Sequence, residues 1–257
     1  MKRVIYTAII GAYDAPPRLA PEAIDAHCDY LCFCDVDIDL PPPWQLRRIE
    51  RMPAGAAATN RRVKFRVHEL ISGYEQACYT DGNVDLLRFP DEAFAALEQA
   101  GCVLLAHPQR RSVRAEMVAC VLTGKLRFRE ALALAAAQSG AGFDDILGMT
   151  ANRLFARRLT DTRVNALFEA VFDDYLAGPP RDQLHLPHAL QRLGVLHVVL
   201  PRQWALDTFT LRPHSGVDLA RGRLARALCK LLLLGPLLSA LLAVVAYFNH
   251  KETSRHD

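Results

Sequence analysis

A chain of 257 residues can bury a substantial core, and one α/β domain is its simplest organisation. A net charge of +3 is too small to argue for nucleic-acid binding, and the seven scattered cysteines include no Cys-x-x-Cys pair, which argues against zinc and disulfide frameworks. The opening MKRVIYTAIIGAYD has a short apolar run that flows into a turn without a small-residue cleavage site, so it is not read as a secretory signal.

In chain order, Val4 to Ile10 is a continuous run that predicts a buried parallel strand, ended by Gly11 and a proline-rich loop to Pro21. Tyr30 to Cys34 predicts a second strand, closed by Asp35. Cys32 and Cys34 alternate there and are read as small buried residues sharing one face in a reducing compartment. Trp44 to Ile49 predicts a third strand, and Asn60 to Leu70 has helical spacing with Val63, Val67 and Leu70 on one side. A strand from Tyr74 leads into YTDGNVD. Then come a helix over Asp91 to Gln99, a strand over Cys102 to Ala106 and a helix over Val113 to Leu122. Helical patterns cover Phe128 to Ser139, Arg163 to Tyr175 and Asp182 to Leu193, followed by a strand over Val195 to Leu200. This alternation predicts a mostly parallel sheet flanked by helices.

The last part differs. Leu231 to Phe248 carries no charge over 18 residues, near the lower limit for spanning a bilayer. Arg221, Arg223, Arg226 and Lys230 precede it, which favours keeping the preceding domain in the cytoplasm. The expected organisation is a domain over 1–215, a basic amphipathic linker over 216–230 and a membrane anchor helix over 231–248. A core helix is the alternative.

The segment Tyr79 to Asp85 places Asp81, Asn83 and Asp85 at alternate positions where a strand gives way to a turn. Oxygen ligands on a turn suit a hard cation, Mn²⁺ or Mg²⁺, which binds through one or two carboxylates plus substrate phosphates. A plain Asp-Gly turn is the alternative. Arg61 and Lys64, one helical turn apart, could meet phosphate or sugar, or could form a solvated basic face. Asp35, at a strand end, could contact base or ribose, or could be a turn aspartate.

The run from IYTAIIGAYD through LCFCD and NRRVKFRVHEL to YTDGNVD, with AHPQRRSVRAEMVAC and PPRDQLHLPHAL further on, resembles a glycosyltransferase-like domain family of plant and bacterial proteins linked to mucilage and cell-wall polysaccharides. The resemblance covers roughly Lys2 to Leu200. Arg114 stands where that family usually has tyrosine. The resemblance implies a GT-A type fold, with a nucleotide-binding sheet and a metal motif at a strand end. It implies a hexosyl- or uronosyltransferase that takes a nucleotide-sugar donor and a glycan or lipid-linked acceptor. On this reading Asp81, Asn83 and Asp85 hold the metal, completed by the late histidine His214. Asp35, Arg61, Lys64, His107, Arg110 and Gln183 bind donor. Arg181, Asp182 and Glu116 carry the chemistry, with the Asp182 carboxylate set against an acceptor hydroxyl as general base or against the donor sugar. An N-cap role for Asp182 and an ion pair for Arg110 and Glu116 are the plainer alternatives. Two rival functions are a metal-dependent hydrolase of a phosphate ester or lipid amide, and a non-catalytic relative that binds glycan or nucleotide.

Overall fold

The strands are β1 (Arg3–Ile9), β2 (Cys28–Cys34), β3 (Trp44–Arg48), β4 (Gln76–Thr80), β5 (Val84–Leu86), β6 (Cys102–Ala106), β7 (Thr150–Arg158), β8 (His197–Leu200) and β9 (Phe209–Leu211). The helices are α1 (Ala56–Arg66), α2 (Asp91–Ala96), α3 (Val113–Leu122), α4 (Phe128–Gly140), α5 (Thr162–Ala177), α6 (Leu186–Leu193) and α7 (Arg202–Thr208). This computed structural model describes residues 1–11, 13–145, 148–213 and 240–244.

Seven strands form one sheet in the order β3-β2-β1-β4-β7-β6-β8, and β5 pairs with β9 in a separate ribbon. β1 lies parallel to β2 and β4, β2 to β3, and β6 to β8; β7 is antiparallel to both of its neighbours, β4 and β6. The α/β class and the mostly parallel sheet expected from the sequence are therefore present. The chain runs outward from β1 to β3 and then returns to place β4 on β1's other side. That reversal of strand order sets a switch point at the carboxyl ends of β1 and β4, where open α/β sheets bind ligands.

Burial follows position in the sheet. β1, β2 and β4 are buried along almost their whole length, while the edge strands β3 and β8 are partly exposed. On one face Ile5, Ile9, Tyr30, Cys32, Cys78, Val103 and Ala156 pack with Phe94 and Leu97 from the α2 region and Trp204 from α7. On the other, Phe65 of α1 and Phe168 of α5 stack on Phe155, which in turn stacks on Tyr79. Cys32 and Cys34 share a face as expected. Their sulfurs are 3.5 Å apart, and both remain buried free thiols.

Four elements depart from expectation. β7 and the late pieces α7 and β9 were not anticipated. The helix expected over Asp182 to Leu193 is broken into a 3₁₀ turn, Asp182–Leu184, and α6, because Pro187 at the start of α6 has no N–H with which to continue a helix.

The described residues divide into two compact units. The first holds 1–106, 150–172 and 195–213, and so the entire sheet. The second holds 107–149, 173–194 and 240–244, where α3 and α4 pack around Val113, Met117, Ala131 and Leu184. Residues 240–244 are helical, and Leu242 is buried in that second core. No helix among the described residues is long and apolar enough to cross a membrane. The expected linker and most of the expected anchor lie outside the described residues.

Candidate functional site

Asp81 follows the last residue of β4, so its side chain leaves the sheet at the switch point. Its Oδ1 accepts from Lys64 Nζ at 3.1 Å and from Tyr79 OH at 2.8 Å. Burial, reinforced by the charge of Asp81, pushes the Tyr79 phenol well above its ordinary range, so the hydroxyl stays a donor. Lys64 is buried and lies over the Tyr79 ring, 4.8 Å from its centroid. The solvated basic face considered for Lys64 is thus excluded, and α1 delivers an ammonium to the end of β4. Two donors fix Oδ1 and leave Oδ2 outside these bonds, on a side chain 31% exposed. That geometry fits a monodentate ligand of a hard cation whose other positions are water and phosphate. Arg61, one turn earlier, donates to Asn60 Oδ1 at 2.7 Å, and its charge also reaches Tyr79.

At the end of β2, Asp35 accepts from the backbone N–H of Gly11 at 2.7 Å through Oδ1 and from Arg51 Nε at 2.7 Å through Oδ2. Burial opposes its ionisation, but the Gly11 N–H and the Arg51 guanidinium outweigh it and hold the carboxyl below its usual range. Gly11 has φ +70°, and an added Cβ would come within 3.2 Å of Arg51. Both Asp35 oxygens are therefore committed to the fold. The group that this trio presents to a ligand is Arg51, half exposed in an open cleft with Arg48, Ile49 and Glu50. Sequence reasoning missed Arg51.

Asn83 and Asp85 are both tied to Arg212. Asn83 Nδ2 donates to the carbonyl of Arg212 at 2.9 Å, and Asp85 Oδ1 accepts from Arg212 Nε at 2.9 Å and from the backbone N–H of Arg18 at 2.8 Å. The alternation that suggested three metal ligands places one, Asp81, at the strand end and turns the others to a clasp with β9. His214 lies outside the described residues. Asp14 was not singled out either; a Cβ at Gly82 would lie 3.3 Å from its Cβ and 3.4 Å from its Oδ2.

Among the described residues, three ligand-type atoms converge at His68, Glu69 and Glu169. Each is already bonded. Arg157 Nη2 donates to His68 Nδ1 at 3.3 Å, His68 Nε2 meets Glu169 Oε1 at 2.7 Å, and Arg66 donates to Glu69. A buried guanidinium therefore stands against the imidazole within this hydrogen-bond network.

The remaining expected residues lie in the second unit. His107 is a loop residue as expected, but its side chain is buried, and Nδ1 accepts from the backbone N–H groups of Gln109 and Arg110 at 3.2 and 2.9 Å. Nε2 therefore carries the proton, and it lies 4.0 Å from Glu116 Oε2. Arg110 Nη1 stands 3.0 Å from the same oxygen, while Cys120 Sγ donates to Oε1 at 3.4 Å. The ion pair considered for Arg110 and Glu116 is thus present, and Glu116 is buried in it with Oε2 accepting no hydrogen bond. Burial, the Glu116 charge and then the opposing Arg181 charge act on Cys120, whose pKa is raised on balance. Arg181 and Glu116 are so brought to one thiol. Asp182 is buried inside the 3₁₀ turn, with half-buried Gln183 beside it, and Arg181 takes the N-cap position, so Asp182 is not the cap.

No protein-family model matches this chain, and no curated protein sequence does either.

Proposed function

We propose that the chain is a cation-assisted glycosyltransferase of GT-A type that binds the diphosphate of a nucleotide-sugar donor at the β1/β4 switch point. The observation that carries this reading is Asp81, held through Oδ1 by Lys64 and Tyr79 with Oδ2 left over, at the sheet edge where α/β proteins take phosphorylated ligands. Mn²⁺ or Mg²⁺ on Asp81 would neutralise the diphosphate leaving group. Lys64 holds a second positive charge beside the same carboxylate, and Arg51 offers a third at the ends of β2 and β3. Asp35 acts on the donor through Arg51 and Gly11, by orienting them.

The acceptor is a glycan or lipid-linked sugar; within the uncharged run Leu231 to Phe248, Leu242 is buried in the second unit's core, which favours a core helix over a membrane anchor for that segment.

The test is donor turnover. Purified protein with MnCl₂ is offered a panel of UDP-, GDP-, ADP- and dTDP-sugars, and released nucleotide is measured. One donor should be consumed, and Asp81→Asn should slow its consumption by about a hundredfold or more. Asn is the informative substitution. Asp81→Ala would also remove the oxygen that accepts from Lys64 and Tyr79, which Asn keeps. Consumption of no donor, or equal rates in the two proteins, contradicts the proposal.

A further inference from the structure

We infer that Arg212, a residue outside every motif in the sequence, positions the Asp81 turn for donor binding; the inference rests on the donor-site reading above. Arg212 follows β9, and its guanidinium gathers groups from two loops. Nε donates to Asp85 Oδ1 at 2.9 Å, and Nη2 donates to the carbonyls of Gly82 at 2.8 Å, Ala15 at 3.0 Å and Pro16 at 3.1 Å. Its own backbone N–H donates to Asn83 O at 2.8 Å, and its carbonyl accepts from Asn83 Nδ2 at 2.9 Å. One side chain therefore fastens the loop after β1 to the loop after β4, the two loops that flank the switch point.

The loops also touch directly. A Cβ at Gly82 would crowd Asp14 Cβ at 3.3 Å and Ile9 Cγ1 at 3.4 Å. Asp81 is thus held from two sides, by Tyr79 and Lys64 at its carboxylate and by Arg212 at the next peptide. Asp85 is met by Nε and the three carbonyls by Nη2, a division between two donor nitrogens of one rigid plane that guanidinium supplies and a lysine ammonium does not. The bonds reach across 127 to 197 residues of chain, so local sequence carries no trace of them. The side chain of Arg212 is 23% exposed and takes no part in the apolar core, so its loss loosens the loops without opening the sheet.

The experiment compares Arg212→Ala, Arg212→Lys and Asp85→Asn with the native full-length chain. Leu97→Ala, a cavity in the core of the same unit, serves as the control for simple destabilisation. The probe is UDP with MnCl₂, read by titration, together with melting temperature and amide exchange over 13–18 and 82–86. Arg212→Ala should weaken UDP binding tenfold or more and speed exchange in both loops. Lys should not restore binding, Asp85→Asn should weaken it less, and Leu97→Ala should melt earlier with its UDP affinity unchanged. Native affinity in Arg212→Ala, or a loss no larger than in Leu97→Ala, overturns the positioning role. If the native chain binds none of UDP, GDP, ADP or dTDP with MnCl₂, the donor-site reading fails instead, and exchange alone decides the clasp: unchanged protection in both loops overturns it.

Discussion

At the residue scale, Arg157 shows how this fold tolerates a completely buried charge. Nη1 donates to the carbonyl of Phe65 at 2.9 Å, Nη2 donates to His68 Nδ1 at 3.3 Å, and the guanidinium lies 4.6 Å from the centroid of the Phe168 ring. Arginine only donates, so His68 Nδ1 accepts and Nε2–H is left to donate to Glu169. Burial, with the nearby Arg157 charge, holds the His68 pKa below its ordinary value against the upward pull of Glu169. The sign follows from linkage. The unfolded chain takes up this proton at higher pH than the folded one, so the stability contributed by neutral His68 is full above about pH 6.5 and is lost as pH falls through the folded pKa. The melting temperature should fall between pH 7 and 5, and His68→Gln should fall less steeply. Parallel profiles for the two proteins would remove His68 from the account.

At the element scale, β7 matters most and was least visible. It enters antiparallel between β4 and β6 and carries Arg157. Gly101, just before β6, accepts from the backbone N–H of Arg158 at 3.0 Å and donates to the carbonyl of Leu196 at 3.0 Å, so it is pinned between the ends of β7 and β8. A Cβ there would collide with buried Val164 of α5. Gly101→Ala should therefore cost about 1–3 kcal/mol through overpacking. In urea the midpoint should drop with the slope unchanged; a native midpoint would mean that α5 yields freely. β1, β6 and α3 were legible because burial on both faces writes an unbroken apolar run, and because Ser112 caps α3 by accepting from Ala115 N–H. β7 was not, because Asn152, Arg153, Arg157 and Arg158 interrupt its pattern. The partners that let Arg157 be buried there lie 89 to 92 residues away. The site divides on the same ground. Asp81 could be read from a strand running into Asp-Gly, whereas the commitment of Asn83 and Asp85 to Arg212 depends on β9, which no local periodicity announced.

At the scale of the whole molecule, the sheet unit gathers the groups suited to a nucleotide diphosphate. Gly11 with Asp35 and Arg51, and Lys64 with Asp81, all stand at the carboxyl ends of parallel strands. The second unit holds a separate buried polar cluster of His107, Arg110, Glu116 and Cys120. Dividing the chain this way gives each group of expected residues its own support. The β strands and α1 carry one set, while α3 and the turn before α6 carry the other. The central claim is that Asp81 holds a cation on which diphosphate binding depends. Calorimetric titration of UDP into the full-length protein, with and without MnCl₂, tests it most directly alongside Asp81→Asn. The account predicts saturable binding to the native chain that needs Mn²⁺ and is lost in an Asp81→Asn protein that still folds; equal UDP affinity with and without the metal, or in both proteins, would contradict it.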